Sequence, residues 1–279
     1  MKTLIAYYDG LIGEPNKIKV PISDRSIFFG DAVYDAALLK DGKIFLASEH
    51  VERLLNGAKI LKIKHNFTAE SLMTELERCT RMFERGVYFI YFQLSRRSDE
   101  RIHSYKASAG SSLFITVSEC RTPSPDKALS LVSLPDTRYL HCNVKTVNLL
   151  PAVMASGYAE ENGADEAVFV RDGIVTECAH SNISILQNGV LYTHPLTEHI
   201  LPGITRSHLL ECCRKLGVGI KETGFSLSDL RSADEVLVTS TTKLCVRAEF
   251  LDGFAIGGKN TYISKKICAA MLDEFVHYS

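Results

Sequence analysis

The first 120 residues alternate between the apolar spacing of helices and that of strands. From Val51 to Leu61 an apolar residue recurs every three or four positions, which predicts a helix capped by Ser48. Thr68 is placed to cap a second helix. Turn residues or aromatic and β-branched content predict four strands. These strands are residues 33–39, 43–46, 87–94 and 113–117.

A break in this pattern precedes a second mixed region. Pro123 and Pro125 form the break, because proline disrupts both helices and strands. Beyond it, helices are predicted at 148–162, with a stop at Gly163, at 204–216, and from about Thr261, and a strand at 235–239. Hairpin turns are predicted at Asp41-Gly42, Asp172-Gly173 and Asn188-Gly189.

The two regions predict two domains of the α+β class. Neither shows a regular strand–helix–strand alternation, which argues against a doubly wound sheet. The predicted boundaries are an N-terminal domain at 1–120, a linker at 121–128 and a C-terminal domain at 129–279. The Gly-x-Gly-x-x-Gly and Walker motifs of nucleotide sites are absent from the sequence.

Composition and charge exclude several classes of protein. The 279 residues are 46% apolar and 23% charged, enough to bury a core, and the net charge is -1. Such a balance gives no electrostatic reason to expect nucleic acid or an anionic membrane as a partner. No apolar run approaches the ~20 residues of a membrane span, and the N-terminus lacks the pattern of a signal peptide. We therefore expect a cytoplasmic protein.

The eight cysteines do not follow the spacing of a metal site. No Cys-x-x-Cys pair occurs, and cysteines and histidines are not clustered at zinc-ligand intervals. We expect reduced thiols packed in the core, and no metal.

Two residues carry candidate chemistry, each with an ordinary alternative. Lys145 enters an apolar helix start, where it is either a surface lysine or a partly desolvated amine able to form a Schiff base. Glu177 follows the predicted strand 173–176, and it is either a solvated strand-end carboxylate or a buried one that needs a cationic partner. A protonated pyridine nitrogen is one such partner.

Three further features suit anions. Gly203 opens a helix and leaves the amides of Ile204 and Thr205 available to a phosphate, unless they are merely a helix start. Hydroxyls at Ser240 and Thr241 follow a strand, and Arg53 can add a bidentate contact to the same anion. A second pair, Arg101 and His103, lies two positions apart and suits a carboxylate, although its surroundings read as a charged loop.

Taken together and in order, these segments resemble the fold-type IV, or class IV, pyridoxal-phosphate aminotransferases. Within that group the chain is most similar to the bacterial D-amino acid aminotransferases. The resemblance runs through 24–25 (DR), 29–34 (FGDAVY), 49–54 (EHVERL), 91–93 (YFQ), 145–150 (KTVNLL), 175–177 (VTE), 191–195 (LYTHP), 203–206 (GITR) and 238–242 (VTSTT).

The resemblance implies a two-domain fold with pyridoxal 5'-phosphate (PLP) in a cleft between a smaller N-terminal and a larger C-terminal domain. Lys145 would bind the cofactor covalently and carry a proton, and Glu177 would pair with the pyridine nitrogen. The implied phosphate ligands are Arg53, the amides of Ile204 and Thr205, and the hydroxyls of Ser240 and Thr241. The implied ligands of the substrate carboxylate are Tyr34, Arg101 and His103, with the last two supplied by the other subunit of a homodimer.

The expected reaction is a ping-pong transfer of the amino group of a D-amino acid, such as D-alanine or D-glutamate, to 2-oxoglutarate or pyruvate. Branched-chain enzymes carry an arginine where this chain has Leu38, which favours the D-specific group. The alternatives within the fold are a branched-chain L-amino acid aminotransferase, an (R)-amine transaminase and aminodeoxychorismate lyase. A cofactor-binding protein without turnover is the alternative from another class.

Three residues depart from the pattern of the D-specific group. Cys178 and His180 follow Glu177 where relatives carry a glycine and serines, and Arg97 stands where a glycine is familiar. These positions leave the preferred substrate side chain open.

Overall fold

A computed structural model describes residues 1–97, 101–105 and 110–278. The chain divides into two compact units. The first consists of Met1–Thr122, Val144–Asn148 and the chain end at Tyr278, and the second of Pro123–Asn143 and Leu149–His277. Lys145 thus belongs to the first unit, whereas the boundaries drawn from the sequence assign it to the C-terminal domain.

The first unit is built on a six-stranded antiparallel sheet. Its strands are β1 (Thr3–Tyr8), β2 (Leu11–Gly13), β3 (Ala32–Lys40), β4 (Lys43–Ile44), β5 (Val87–Arg96) and β6 (Ser111–Glu119). Their order is β2-β1-β6-β5-β3-β4. The four strands predicted in this region are confirmed, and Asp41 and Gly42 both have the positive φ angles of the predicted hairpin turn. Strands β1 and β2 were not predicted.

Among its described residues the first unit has three helices and one 3-10 turn, at Pro15–Lys17. The helices are α1 (Arg25–Phe29), α2 (Ala47–Ile60) and α3 (Ala69–Thr80). Thr68 caps α3 as predicted and forms a capping box with Ser71. The predicted cap Ser48 is wrong, because α2 begins at Ala47, directly after Leu46, whose φ of 52° turns the chain into the helix.

The core of this unit lies between the sheet and helices α2 and α3. Val51, Leu54, Leu72 and Leu76 project from the helices onto a sheet face that is equally buried. The sheet contributes Val33, Ala37, Leu39, Ile90, Phe92, Leu94, Leu113, Ile115 and Val117. Since alternate residues of a strand share a face, this arrangement sends Asp35 toward the helices and Tyr34 to the other side of the sheet.

The second unit is built on a nine-stranded mixed sheet. Its strands are β7 (Leu129–Pro135), β8 (Glu166–Arg171), β9 (Ile174–Cys178), β10 (Asn182–Gln187), β11 (Val190–Thr193), β12 (Gly219–Glu222), β13 (Glu235–Ser240), β14 (Leu244–Leu251) and β15 (Phe254–Ala255). The order is β12-β11-β10-β13-β14-β7-β8-β9, and β15 pairs with β14. The turns at Asp172-Gly173 and Asn188-Gly189 have the positive φ angles predicted for them.

Four helices cover this sheet: α4 (Leu150–Glu161), α5 (Ile204–Lys215), α6 (Leu227–Ser232) and α7 (Thr261–Val276). Helices α5 and α7 bury Leu209 and Met271 against Leu237, on one face of β13. Val236 and Val238 of the same strand face a separate apolar cluster with Leu230 of α6. The predicted helices are confirmed within a few residues, and Gly163 ends the first of them with a φ of 68°. Across the described residues, no helix has both the length and the apolar character that crossing a bilayer requires.

Candidate active site

Lys145 lies over an aromatic side chain in the first unit. Its Nζ is 4.4 Å from the ring centroid of Tyr34, and the Tyr34 ring stacks on Tyr91 at 5.2 Å. Burial, followed by the neighbouring Tyr34, raises the pKa of Tyr91, whose hydroxyl lies 2.6 Å from Gln93 Oε1 and donates to it. The structure therefore brings together two of the predicted site residues, Lys145 and Tyr34, on the face of the sheet away from α2.

Backbone pairing fixes the segment that carries Lys145. The amide of Tyr34 donates to the carbonyl of Lys145 at 2.9 Å, and Val33 forms a β-bridge with Thr146. Asn148 donates from Nδ2 to the carbonyl of Gly30 at 2.9 Å. Any side chain at position 30 would collide with Asn148, because a Cβ there would lie 2.2 Å from its Oδ1. Glycine at position 30 is thus part of what holds the lysine segment against β3.

Arg53 forms an ion pair with a buried carboxylate. Asp35, whose side chain is fully buried, accepts from Arg53 Nε at 2.7 Å and Nη2 at 2.8 Å, and His50 Nδ1 lies 2.7 Å from it. Burial raises the pKa of Asp35, but Arg53 and His50 lower it more, so the pKa lies well below its ordinary value. His50 and Arg53 are three apart on α2 and share a face. That spacing indicates a shared helix face, but nothing local in the sequence indicates that Asp35 is the partner of both side chains.

Arg101 and His103 both lie against α1 of the first unit. The His103 ring is 5.2 Å from the ring of Phe29, and the Arg101 guanidinium is 5.5 Å from the same ring. Both side chains belong to exposed residues. Arg97, one of the departures from the family pattern, forms an ion pair with Asp9 and donates to Ser112 Oγ at 3.2 Å.

In the second unit, Glu177 is a buried carboxylate surrounded by hydrogen-bond donors. Its Oε1 accepts from Arg138, and its Oε2 accepts from Asn182 Nδ2 and from the amide of Leu201, each at 3.0 Å. The residue is 6% exposed. Each of these partners donates, which is the arrangement that an ionised carboxylate requires. The alternative of a solvated strand-end glutamate is therefore wrong.

Arg138 links Glu177 to a second carboxylate, and the sequence analysis missed it. Its guanidinium binds both oxygens of Asp136 at 2.9 Å, and Asp136 also contacts Arg171 at 3.2 Å. Burial lowers the pKa of Arg138, but Asp136 and Glu177 raise it more, so the net pKa lies above its ordinary value. Burial raises the pKa of Asp136, and Arg138 and Arg171 lower it well below the usual range. The sequence signal for the Asp136–Arg138 pair was the spacing Asp-x-Arg directly after strand β7.

The start of α5 lies beside Asn182. A Cβ on Gly203 would lie 1.9 Å from Asn182 Oδ1, so only glycine allows this approach. Asn182 in turn pairs with Thr239 in the register of β10 and β13. The amides of Ile204 and Thr205, at the helix start, and the end of β13, at Ser240, are therefore both adjacent to the residue that contacts Glu177.

Two observations fit this region to a phosphate group. Within the described part of the chain, no side chain caps the start of α5, where the helix dipole is positive. Ser240 Oγ is buried, and among the described residues it has no hydrogen-bond partner. A buried hydroxyl without a partner costs free energy unless a ligand supplies one. The phosphate of PLP is an acceptor of the required kind.

The two departures beside Glu177 have structural roles in the second unit. Cys178 is 1% exposed within the apolar cluster, and burial raises the pKa of its thiol well above its ordinary value. His180 turns its Nδ1 toward Glu166 at 3.1 Å, and Lys243 contacts the same carboxylate at 3.0 Å. The prediction that the cysteines pack in the core is confirmed for six of them, whereas Cys120 and Cys142 are only partly buried.

The chain belongs to the class IV aminotransferases. The sequence model of that family, described as amino-transferase class IV, matches residues 32–249. This match confirms the family resemblance drawn from the sequence.

Within this family, the chain is similar in sequence to D-alanine aminotransferases and in structure to branched-chain aminotransferases. The chain is 34% identical to the D-alanine aminotransferase of Bacillus licheniformis over 254 residues, which cover 90% of this chain and 89% of the relative. It is 32% identical to the D-alanine aminotransferase of Listeria innocua over 99% of this chain and 96% of that protein. A branched-chain aminotransferase of Thermoproteus uzoniensis matches in structure with a TM-score of 0.88 at 23% identity, covering 98% and 95% of the two chains. The structural match confirms the α+β fold predicted for the chain.

Proposed function

We propose that this chain catalyses PLP-dependent transfer of the amino group of a D-amino acid to a 2-oxo acid, by a ping-pong cycle. The buried carboxylate of Glu177, with its three donors, is the observation that carries the proposal. A buried carboxylate held by these donors is suited to pair with the protonated ring nitrogen of PLP. PLP, when bound, supplies a ring that accepts the electrons released when the substrate loses its α-proton.

Lys145 has two proposed roles in this reaction. Its Nζ amine would hold PLP covalently, and in its free form it would carry the α-proton of the substrate. The contacts with β3 support this role, because the amide of Tyr34 donates to the carbonyl of Lys145 and Val33 bridges Thr146, which fixes the backbone that carries the amine. A fixed backbone restricts where the amine can accept and deliver a proton.

Glu177 is proposed to keep the ring nitrogen protonated. The Arg138 guanidinium and the two N–H donors favour its negative charge, and a negative carboxylate favours a cationic nitrogen beside it. Arg138 shares its single positive charge between Asp136 and Glu177, so Glu177 retains negative charge for the ring nitrogen.

The proposed phosphate site consists of the amides of Ile204 and Thr205, the hydroxyls of Ser240 and Thr241, and Arg53. The uncapped helix start and the partnerless Ser240 Oγ support it in the second unit. Arg53 enters the proposal from the family pattern, and its ion pair with Asp35 fixes the direction of its guanidinium.

Replacing Ser240 by alanine is expected to weaken PLP binding without destabilising the cofactor-free chain. A bond from a hydroxyl to a charged acceptor contributes about 1.5–3 kcal/mol, so PLP affinity should fall by at least about tenfold. The substitution removes an unsatisfied polar atom, so the cofactor-free variant should unfold at the same urea concentration as the wild type or a higher one. PLP titration and urea unfolding measure the two effects. Thr239→Val is the matched control, because Thr239 Oγ1 is also buried and without a partner among the described residues but faces the other side of β13, away from the proposed phosphate. A Ser240→Ala variant that binds PLP as tightly as the wild type would contradict the phosphate role of Ser240.

The proposed ligands of the substrate carboxylate are Tyr34, Arg101 and His103. The enzyme is proposed to be a cytoplasmic homodimer, in which residues 101–103 of each subunit contribute to the site of the other. Arginine and histidine together supply the fork and the additional donor that a carboxylate accepts. Leu38 is buried at 1% exposure, at the position where branched-chain enzymes carry an arginine. The names of the curated relatives, D-alanine aminotransferases, support a D-configured substrate.

A panel of amino donors tests the function directly. The purified chain is expected to be yellow, and the visible absorbance of the cofactor should fall on addition of D-alanine or D-glutamate and return with pyruvate or 2-oxoglutarate. Both halves of the cycle can thus be followed in one cuvette without a coupled enzyme. L-alanine and L-leucine at the same concentration are the controls for stereochemistry.

Other outcomes would identify an alternative within the fold. Bleaching by L-leucine and not by D-alanine would assign the chain to the branched-chain enzymes, and bleaching by amines that lack a carboxylate to the (R)-amine transaminases. Release of pyruvate from aminodeoxychorismate without an amino acceptor would indicate the lyase. Bound cofactor that responds to no donor would contradict an enzymatic function.

A further inference from the structure

A buried arginine contacts the backbone of the segment that carries Arg101 and His103. Arg25, the first residue of α1, donates from Nη1 to the carbonyl of Ile102 at 2.5 Å and from Nη2 to the carbonyl of His103 at 3.2 Å. Its side chain is 5% exposed. Two carbonyls of neighbouring residues are thus held by one planar guanidinium, whose nitrogens have a fixed spacing.

The guanidinium is itself held from two sides. Asp31 accepts from Arg25 Nε at 2.7 Å, and the Phe29 ring lies 4.6 Å below the guanidinium carbon. Asp31 also binds Arg96 at 2.9 Å, which ties it to the end of β5. A charged group that is stacked, paired and buried in this way has little freedom to reorient. Arg25 therefore presents its two remaining nitrogens in a preset direction.

The position of the backbone decides where the two neighbouring side chains are directed. Arg101 and His103 flank Ile102, and both contact Phe29, the ring that stacks on Arg25. Exposed side chains on a segment without regular secondary structure gain orientation only from such local contacts. Arg25 supplies the backbone contacts, and Phe29 supplies a surface for the side chains.

We propose that Arg25 is a positioning residue for substrate recognition: it fixes the backbone of residues 101–103 so that Arg101 and His103 present their donors to the substrate carboxylate. The proposal rests on the proposed function, which gives Arg101 and His103 their ligand. It adds a residue that touches neither substrate nor cofactor and acts through the backbone of those that do. Its loss should therefore affect carboxylate binding selectively.

Kinetics of two substitutions test the selectivity. Arg25→Gln removes the charge, whereas Arg25→Lys keeps a cation for Asp31 but has one nitrogen and cannot reproduce the fork to two carbonyls. Both variants are expected to raise the KM for D-alanine roughly tenfold, with kcat within about twofold of the wild type and the PLP dissociation constant unchanged. Arg78→Gln is the matched control, since Arg78 also donates to a carboxylate and to a backbone carbonyl, that of Gly10, but lies on α3.

A fluorescent probe tests the anchoring without reference to the reaction. The chain contains no tryptophan, so Ile102→Trp places a single reporter on the segment, at a residue that is 41% exposed and has no proposed role in binding. In the Ile102→Trp background, Arg25→Gln and Arg25→Lys should lower the fluorescence anisotropy and raise quenching by acrylamide, whereas Arg78→Gln should change neither. The variants are compared at equal cofactor content, because the bound cofactor also affects the emission.

The two experiments separate the possible failures. A higher KM together with a looser probe supports the proposal. An unchanged KM or an unchanged probe signal would overturn it. So would a fall in kcat and in PLP affinity as large as the rise in KM, because such a uniform effect indicates a general disruption of the fold. A wild-type chain that is not bleached by any D-amino acid would contradict the proposed function, and with it the substrate assigned here, while the probe would still show whether Arg25 holds the segment.

Discussion

Lys145→Ala is expected to lower the transamination rate by about a thousandfold or more. A positioned general acid–base group contributes roughly 10²–10⁴ to a rate, and Lys145 is proposed to supply both that group and the covalent link to the cofactor. Rates are measured with D-alanine and 2-oxoglutarate in the presence of excess PLP, so that weaker cofactor binding does not by itself cause the loss.

A lysine elsewhere provides the control for this substitution. Lys17→Ala removes an exposed amine that pairs with nearby Glu14 on the surface of the first unit, and it should leave the rate unchanged. A single turnover by the Lys145→Ala variant is compatible with the proposal, because another base can act slowly. Repeated turnover at the rate of the wild type would contradict it.

The second large effect is expected at Arg138. Arg138→Gln leaves Asp136 and Glu177 without their shared cation, in positions where their side chains are 0% and 8% exposed. Breaking a buried ion pair by removing one partner costs about 3–5 kcal/mol. We expect a lower midpoint of urea unfolding and, since Glu177 loses a donor, a lower affinity for PLP.

The pH dependence of this loss identifies its cause. The pKa of Asp136 is lowered from 3.8, so its contribution to stability is present above that pH and is lost as the pH falls through the lower folded value. The difference in unfolding free energy between wild type and Arg138→Gln should therefore be largest near pH 7 and shrink below pH 4. Arg231→Gln, which removes an exposed partner of Asp252, is the control, with an expected loss of about 0–1 kcal/mol. A loss at Arg138 that does not depend on pH would indicate lost packing rather than lost charge.

Local patterns predicted most of the secondary structure. Positive-φ pairs such as Asp172-Gly173, the cap at Thr68 and the glycine stop at Gly163 act within a few residues, so the sequence is sufficient to place them. Ser48 shows the limit of this reasoning. The chain enters α2 through Leu46, which has a left-handed backbone conformation. A leucine gives no sequence signal for that conformation, which non-glycine residues rarely adopt.

The charged partners of Arg53 and Glu177 could not be predicted from the sequence, for a different reason. Arg53 meets Asp35 across 18 positions, and Arg138 meets Glu177 across 39, so neither pairing has a local signature. The family pattern supplied the roles of Arg53 and Glu177 but gave no reason for the charges around them. The structure supplies that reason, since the carboxylates of Asp35 and Glu177 are buried and each requires an opposite charge.

Reductive trapping identifies the lysine that holds PLP. The purified chain is treated with borohydride, which converts a Schiff base between a lysine and PLP into a stable amine, and the labelled peptide is identified by mass spectrometry after proteolysis. We expect a single phosphopyridoxyl group on Lys145, and none when D-alanine is added before the reductant without an acceptor. A label on another lysine, or no label on a chain that holds PLP, would contradict it.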